Sequence, residues 1–226
     1  MPAPISVVIP TLNSARELPG CLESLMEGLS AGLIRELIVT DGGSDDQTRA
    51  IAEEVGAKVV SGAPSRGGQL QRGCLAARGE WLLILHADTH LSPGWSEVVE
   101  AHMDEGQDRP AYFHLAFRAT GPGAALVAGW ANLRSHLFRL PYGDQGLLIH
   151  RAAYEAAGGY PDQPLMEDVA LVRRVTGLVK LPAMARTSAE RYLRQGWLRR
   201  GAANLFTLAR YACGTSPETL AKAYRK

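Results

Sequence analysis

Three apolar runs in the first half of the chain each stop on polar groups: Ile5-Ser-Val-Val-Ile-Pro10-Thr11-Leu-Asn13, Leu37-Ile-Val-Thr-Asp41 and Leu82-Leu-Ile-Leu-His-Ala-Asp88. Near-continuous apolar strands belong to a parallel sheet covered on both faces, and such open sheets bind ligands along the carboxyl ends of their strands. Between the runs the spacing turns helical. Ser14-Ala-Arg-Glu17 has the form of a capping box, and Leu18, Cys21, Leu22, Leu25, Met26 and Leu29 recur on one helix face. A strand over 34–40, a short helix to Glu54, a strand at 57–61, a helix from Gly68 to Arg78 and a strand from Trp81 to Leu85 complete a repeated β-α pattern. Short connections of this kind predict right-handed crossovers.

Beyond Pro93 the pattern loosens. A helix is expected near 94–104, a strand from Ala111 to Phe117, an Ala/Gly-rich segment over 121–139, a strand from Gly146 to His150 and a helix around 165–175. The last forty residues read as helix, with Trp197, Leu198, Leu205, Phe206, Leu208 and Tyr211 on a broad apolar face among arginines. The expected class is α/β: a Rossmann-like, mainly parallel central sheet flanked by helices, with a helical appendage at the C-terminus.

At 226 residues and 46% hydrophobic content the chain can bury one substantial core. No stretch reaches the roughly 20 apolar residues of a membrane span, and the first residues lack a secretory pattern, so a cytoplasmic protein is expected. Cys21, Cys74 and Cys213 are odd in number and widely spaced, which predicts reduced, packed thiols rather than disulfides or zinc. The net charge of +1 is unevenly spread: nine Lys/Arg against two Glu from Arg186 onward make that segment +7, leaving −6 before it. Such a tail can dock on the acidic body, meet a phosphate-bearing ligand, or lie on an anionic membrane. Nothing in the charge pattern points to nucleic acid.

Five loops carry candidate chemistry. Asp41-Gly-Gly-Ser-Asp45 lets backbone approach a ligand while its carboxylates accept hydrogen bonds, though turns and N-caps use the same residues. Ser65-Arg66-Gly67-Gly68-Gln69 sets one guanidinium and free amides before a helix, as an anion site would, without either standard phosphate-loop motif. His86-Ala87-Asp88 ends an apolar strand on an acid that needs a partner, and a divalent cation bridging a diphosphate would be one. His86 and His90 beside it read as wall residues or as metal contacts. Met166-Glu167-Asp168 opens a helix, either as an N-terminal acidic pair or as a carboxylate able to take a proton from a hydroxyl. Tyr142-Gly-Asp144-Gln145 is a turn that also offers polar groups to an acceptor.

In order along the chain, Ile9-Pro10-Thr11-Leu12-Asn13, Asp41-Gly-Gly-Ser-Asp45-Asp46, Arg66-Gly67, His86-Ala-Asp88, Gly143-Asp144-Gln145-Gly146 and Glu167-Asp168 resemble the inverting family 2 glycosyltransferases of the GT-A fold. The chain is most similar to a short bacterial subgroup with Leu-His-Ala-Asp-Thr in place of D-x-D and an ending like Leu208-Ala-Arg-Tyr211-x-x-Gly214-x-Ser-Pro217-Glu-x-Leu220-Ala. The resemblance implies a GT-A domain over 1–185, with a nucleotide-binding half (1–93) and an acceptor half (94–185), followed by the basic amphipathic segment 186–226.

It also implies a nucleoside-diphosphate-sugar donor held by Pro10, Thr11, Asn13, Asp41, Asp45, Arg66, Gly67, Ala87 and Asp88. Asp88 would carry Mg2+ or Mn2+, and Asp168 would be the catalytic base. Asp144, Gln145, Glu167, Arg191 and Tyr192 would meet the acceptor or the diphosphate. The chain departs from the family where His86 replaces the first acid of D-x-D and where Arg191-Tyr192 stands for the Q-x-x-R-W element. A nucleotidyltransferase or a nucleotide-sugar-binding protein without turnover are the competing readings. A lipid-linked acceptor, a membrane surface or a second copy of the chain are the partners the C-terminal helix would suit.

Overall fold

The computed structural model describes residues 3–105 and 108–224. Its first half follows the sequence pattern: β1 (Ile5–Thr11), α1 (Leu18–Ser30), β2 (Ile34–Asp41), α2 (Thr48–Glu54), β3 (Lys58–Ser61), α3 (Arg66–Ala76) and β4 (Trp81–Ile84). These strands lie in the order β3-β2-β1-β4, all parallel. Alternate side chains leave β1 on opposite faces. Ile5, Val7 and Ile9 join Leu18, Cys21 and Leu25 of α1 in one core, while Val8 packs with Leu70 and Cys74 of α3 in the other. Burial on both faces explains why the strands read as unbroken apolar runs.

The second half contains β5 (His90–Leu91), α4 (Trp95–Asp104), β6 (Ala111–Phe117), α5 (Pro122–Phe138), a 3-10 turn (Gly143–Gln145), β7 (Leu147–His150), α6 (Arg151–Ala156), α7 (Glu167–Val172) and β8 (Val179–Thr187). Here the sheet becomes mixed, though over the whole sheet parallel pairings still outnumber antiparallel ones, four to three. β7 runs antiparallel to β4, β6 antiparallel to β7, β8 parallel to β6, and β5 antiparallel to β8, completing one eight-stranded sheet. The Ala/Gly-rich stretch over 121–139 is α5, and the helix expected around 165–175 is the shorter α7.

Three further details differ from the sequence reading. Glu17 stands at the N-cap of α1 but makes no capping bond, its carboxylate being engaged by Arg118. Cys21 and Cys74 are buried as expected, whereas Cys213 is exposed. The C-terminal segment is three helices, α8 (Glu190–Gln195), α9 (Trp197–Ala212) and α10 (Pro217–Tyr224). They are separated at Gly196 (φ 85°) and Gly214 (φ 87°), left-handed conformations that favour glycine.

Candidate active site

The carboxyl ends of β1 and β4 open into a cavity of about 610 Å³. Pro10, Thr11 and Asn13 follow β1 into it, His86, Ala87 and Asp88 follow β4, and Arg66 enters from the first turn of α3. The opposite wall comes from the acceptor half, with Asp144 of the 3-10 turn and Glu167 and Asp168 at the start of α7. Asp88 and Asp168 therefore face one common space although eighty positions separate them.

Asp88 is mostly buried, and among the described residues its carboxylate receives a hydrogen bond only from its own amide. Burial raises its pKa, Arg66 opposes that shift and Glu17 adds to it. His86 is held down to about 3 by burial and by the charges of Arg66 and Arg191, so its imidazole is neutral. Among the described residues no three His, Cys, Asp or Glu gather into a protein-only metal centre. One carboxylate that takes no hydrogen bond from another described residue, beside a neutral imidazole, fits a Mg2+ or Mn2+ ion whose remaining positions phosphate oxygens and water would fill.

Asp168 Oδ2 accepts from the Gly143 amide at 2.7 Å, and Oδ1 accepts from the Val169 amide at 2.7 Å. The first bond ties the carboxylate to the 142–144 loop and the second to the first turn of α7. Met166, immediately before the acidic pair, has φ 64°, an uncommon conformation for a residue other than glycine and one found at functional sites. Glu167 is fully buried behind Asp168, 3.7 Å from Arg66 Nε, with its second oxygen unpartnered. Burial and the neighbouring Asp168 charge raise its pKa, and Arg66 pulls it back. Burial likewise lifts Asp144 to about 6; Arg134 counters this, while Asp168 and Asp88 add to it.

Four expected contacts lie elsewhere. Asp41 is fully buried and turned into its own loop, accepting from the Gly43 and Ser44 amides and from the Ser44 and Thr11 hydroxyls. Burial alone would raise its pKa, but these bonds outweigh it and hold the carboxyl below the usual range. Asp45 is exposed and away from the cavity wall; its amide donates to Asn13 Oδ1 at 3.0 Å. Gly67 packs so closely on residues 161–163 that a Cβ would sit 2.1 Å from the Pro161 carbonyl oxygen. Gln145 is fully buried behind the cavity, bonded to Ser135 at 2.6 Å and to the Phe113 carbonyl at 3.2 Å. A polar residue after a strand does not reveal whether it faces ligand or its own loop.

Other cavity residues were not singled out from the sequence. Gln69 donates to the carbonyls of Thr11 and Thr40, 2.7 Å each, and so ties the ends of β1 and β2 together. Arg200 and Asn204, one turn apart on α9, and Tyr224 of α10 close the cavity from the C-terminal side. The Arg200 guanidinium lies 4.1 Å over the Tyr224 ring, and Asn204 donates to the Tyr192 hydroxyl at 2.9 Å. Tyr192 stacks on Trp197 at 5.0 Å and meets Phe117 edge-on at 4.9 Å. Arg191 and Tyr192 thus both reach the cavity, and the i, i+4 spacing of Arg200 and Asn204 was the available sign of the rest.

Residues 6–115, just under half of the chain, match the family described as glycosyl transferase family 2. A PGL/p-HBAD biosynthesis glycosyltransferase of Mycobacterium bovis is 38% identical over 99 residues, 40% of this chain and 38% of that relative's length. Among solved structures, S. aureus TarS 1-349 superposes with a TM-score of 0.63 at 15% identity, covering 91% of this chain and 64% of that one. Glucosyl-3-phosphoglycerate synthase from Mycobacterium tuberculosis, in complex with Mn2+, uridine diphosphate and phosphoglyceric acid, gives 0.58 at 23% identity over 90% of this chain and 78% of that one. The fold is that of the GT-A glycosyltransferases, and the match over residues 6–115 supports family 2.

Proposed function

We propose that the chain is a family 2 glycosyltransferase that moves a sugar, with inversion, from a nucleoside-diphosphate donor to an acceptor hydroxyl. The observation that carries this reading is the shared cavity of Asp88 and Asp168, with the Arg66 guanidinium in the field of both carboxylates. The uridine diphosphate and Mn2+ in the structural neighbour support the choice of donor and metal.

In this reading Asp168, oriented by the Gly143 amide, takes the proton of the acceptor hydroxyl. The oxygen then bonds to the anomeric carbon from the face opposite the diphosphate, whose bond to that carbon breaks and whose oxygen keeps the electron pair. Arg66, steadied by Glu167, offsets the charge developing there. Asp88 would hold a divalent ion, which would supply Lewis-acid neutralisation of the same charge. Pro10, Thr11 and Asn13 border the nucleotide end of the cavity, and Asp144, Arg191 and Tyr192 border the acceptor.

Asp168→Asn is expected to bind nucleoside diphosphate nearly as the wild type does while losing transfer by about 10²–10⁴-fold. Asp88→Ala is expected to weaken donor binding only when Mn2+ or Mg2+ is present. Calorimetry and a nucleoside-diphosphate release assay measure the two. Native transfer by Asp168→Asn would remove the assigned base.

A further inference from the structure

Helix α5 turns its small residues inward and its large ones outward. Ala124 and Ala131 are buried against Leu115 and Phe117 of β6, whereas Leu126, Trp130, Leu133 and Leu137 are exposed, Trp130 by 46% and Leu137 by 60%. Spaced four, three and four apart, they fall within about 60° of one another at roughly 100° per residue. Helix α9 behaves alike: Leu198 (72%), Leu205 and Phe206 are exposed on it.

The two stripes form one surface. A Cβ on Gly123 would meet the Trp197 ring, and one on Gly201 would lie 3.8 Å from Val127, so successive turns pair in the same order and the helices run parallel. From that seam the α5 stripe is displaced by about 90° in one sense and Leu198 and Leu205 by about 50° in the other. In parallel helices those displacements bring both stripes to the same outer side. A continuous exposed apolar surface marks a site of interaction.

Charge identifies the occupant. The sequence has no Asp or Glu between Arg109 and Gly143, and none between Arg191 and Pro217. Exposed Arg139, Arg194 and Arg199 stand on these same elements or just beyond their ends. A symmetric pair of copies joined through this face would set arginine near arginine. An anionic lipid surface satisfies both the apolar stripe and the acid-free, arginine-bearing segments that carry it, the combination of interfacial helices. Among the described residues no helix is long and apolar enough to cross a membrane, and α5 keeps Arg134 buried on its inner side, so the helices are suited to lie along a bilayer.

We infer that α5 and α9 together dock the protein on an anionic phospholipid surface, with Trp130 and the leucines of both helices entering the headgroup boundary. The inner side of α9 carries Arg200 and Asn204 into the cavity, so docking would hold the cavity beside the lipid. The inference stands on surface chemistry alone and does not depend on sugar transfer.

Co-sedimentation of the full chain with vesicles of phosphatidylcholine, and of phosphatidylcholine with phosphatidylglycerol, tests it. The wild type is expected to pellet with the anionic vesicles at low salt and to stay in solution with the neutral ones. Trp130→Glu with Leu133→Glu, both at exposed positions and checked for an unchanged unfolding midpoint, should cut the bound fraction at least about tenfold. Arg194→Glu with Arg199→Glu should cut it by about fivefold per arginine and weaken its salt dependence. Wild type remaining in solution with anionic vesicles at low salt would overturn the inference, as would variants that pellet like wild type. A wild-type dimer in sedimentation velocity that Trp130→Glu disperses, without vesicle binding, would overturn it in favour of a second copy.

Discussion

At the scale of single residues, Asp144 is a group whose charge visibly costs the fold. Its Oδ1 is buried without a partner, and burial together with the nearby acids lifts its pKa to about 6. An unfolded Asp titrates near 3.9. The folded state thus holds the proton more tightly, so stability contributed by the neutral form is full below about pH 3.9 and is lost as pH rises through 6. Asp144→Asn removes that loss. It is expected to raise the unfolding free energy by ~1–2 kcal/mol above roughly pH 7, with the gain shrinking as pH falls through 6. Denaturant titrations across this range, on both proteins, check it. Asp41 is the opposite case, an acid whose hydrogen bonds make the charged form the favourable one. Asp41 ends a strand and Asp144 lies in the turn before one, and sequence alone did not separate them. The difference lies in which backbone amides the folded loop turns toward the carboxylate.

At the scale of elements, the first half of the chain was legible because strands buried on both faces must be apolar throughout, and each ends at a polar loop. In the second half α4, β6 and β7 were legible too, but the direction of pairing was not, because one buried apolar run pairs as well antiparallel as parallel. β7 is such a run, Leu147-Leu148-Ile149, and its pairing with β4 follows from the connection through α5 and the 3-10 turn. β8 was missed altogether: its alternation of buried and exposed residues is unbroken, but a proline at one of the exposed positions, Pro182, reads against a strand. Gly67 shows how elements fix the site together. It lets the first turn of α3 press on residues 161–163, with its amide donating to the Gln163 carbonyl at 3.0 Å, and this contact seats Arg66 across from Glu167. A Cβ there would strike backbone that has no side-chain freedom with which to yield. Gly67→Ala is therefore expected to destabilise by about 1–3 kcal/mol and to weaken binding of a nucleoside diphosphate. Chemical denaturation and calorimetry report the two effects, and an unaffected affinity would detach Arg66 from the anion.

At the scale of the whole molecule, the +7 tail and −6 body suggested docking through ion pairs, yet the one ion pair joining them among the described residues is Arg16 with Glu190, long at 3.9 Å and exposed. Their signs are the reverse of what the segregation of charge implies, and an exposed pair of this kind contributes little. What seats the tail is apolar and aromatic contact: Phe117 with Tyr192 and Trp197, and Leu220 against Met166 and Val169, which flank the Glu167–Asp168 pair. Leu220 and Ala221 are the only residues α10 buries, so the helix is held by a small contact while both large cores of the sheet lie elsewhere. A local opening then costs far less than global unfolding. Leu220→Ala is expected to raise amide exchange of residues 217–224 by more than tenfold, the lost burial being ~2 kcal/mol or more, while exchange in β1 and β4 stays near that of wild type. Because Tyr224 and Ala221 border the cavity, the same substitution should also weaken ligand binding there. Equal acceleration in α10 and in the central strands would make the tail part of the global folding unit, in which case the cavity could not open from this side without unfolding the sheet.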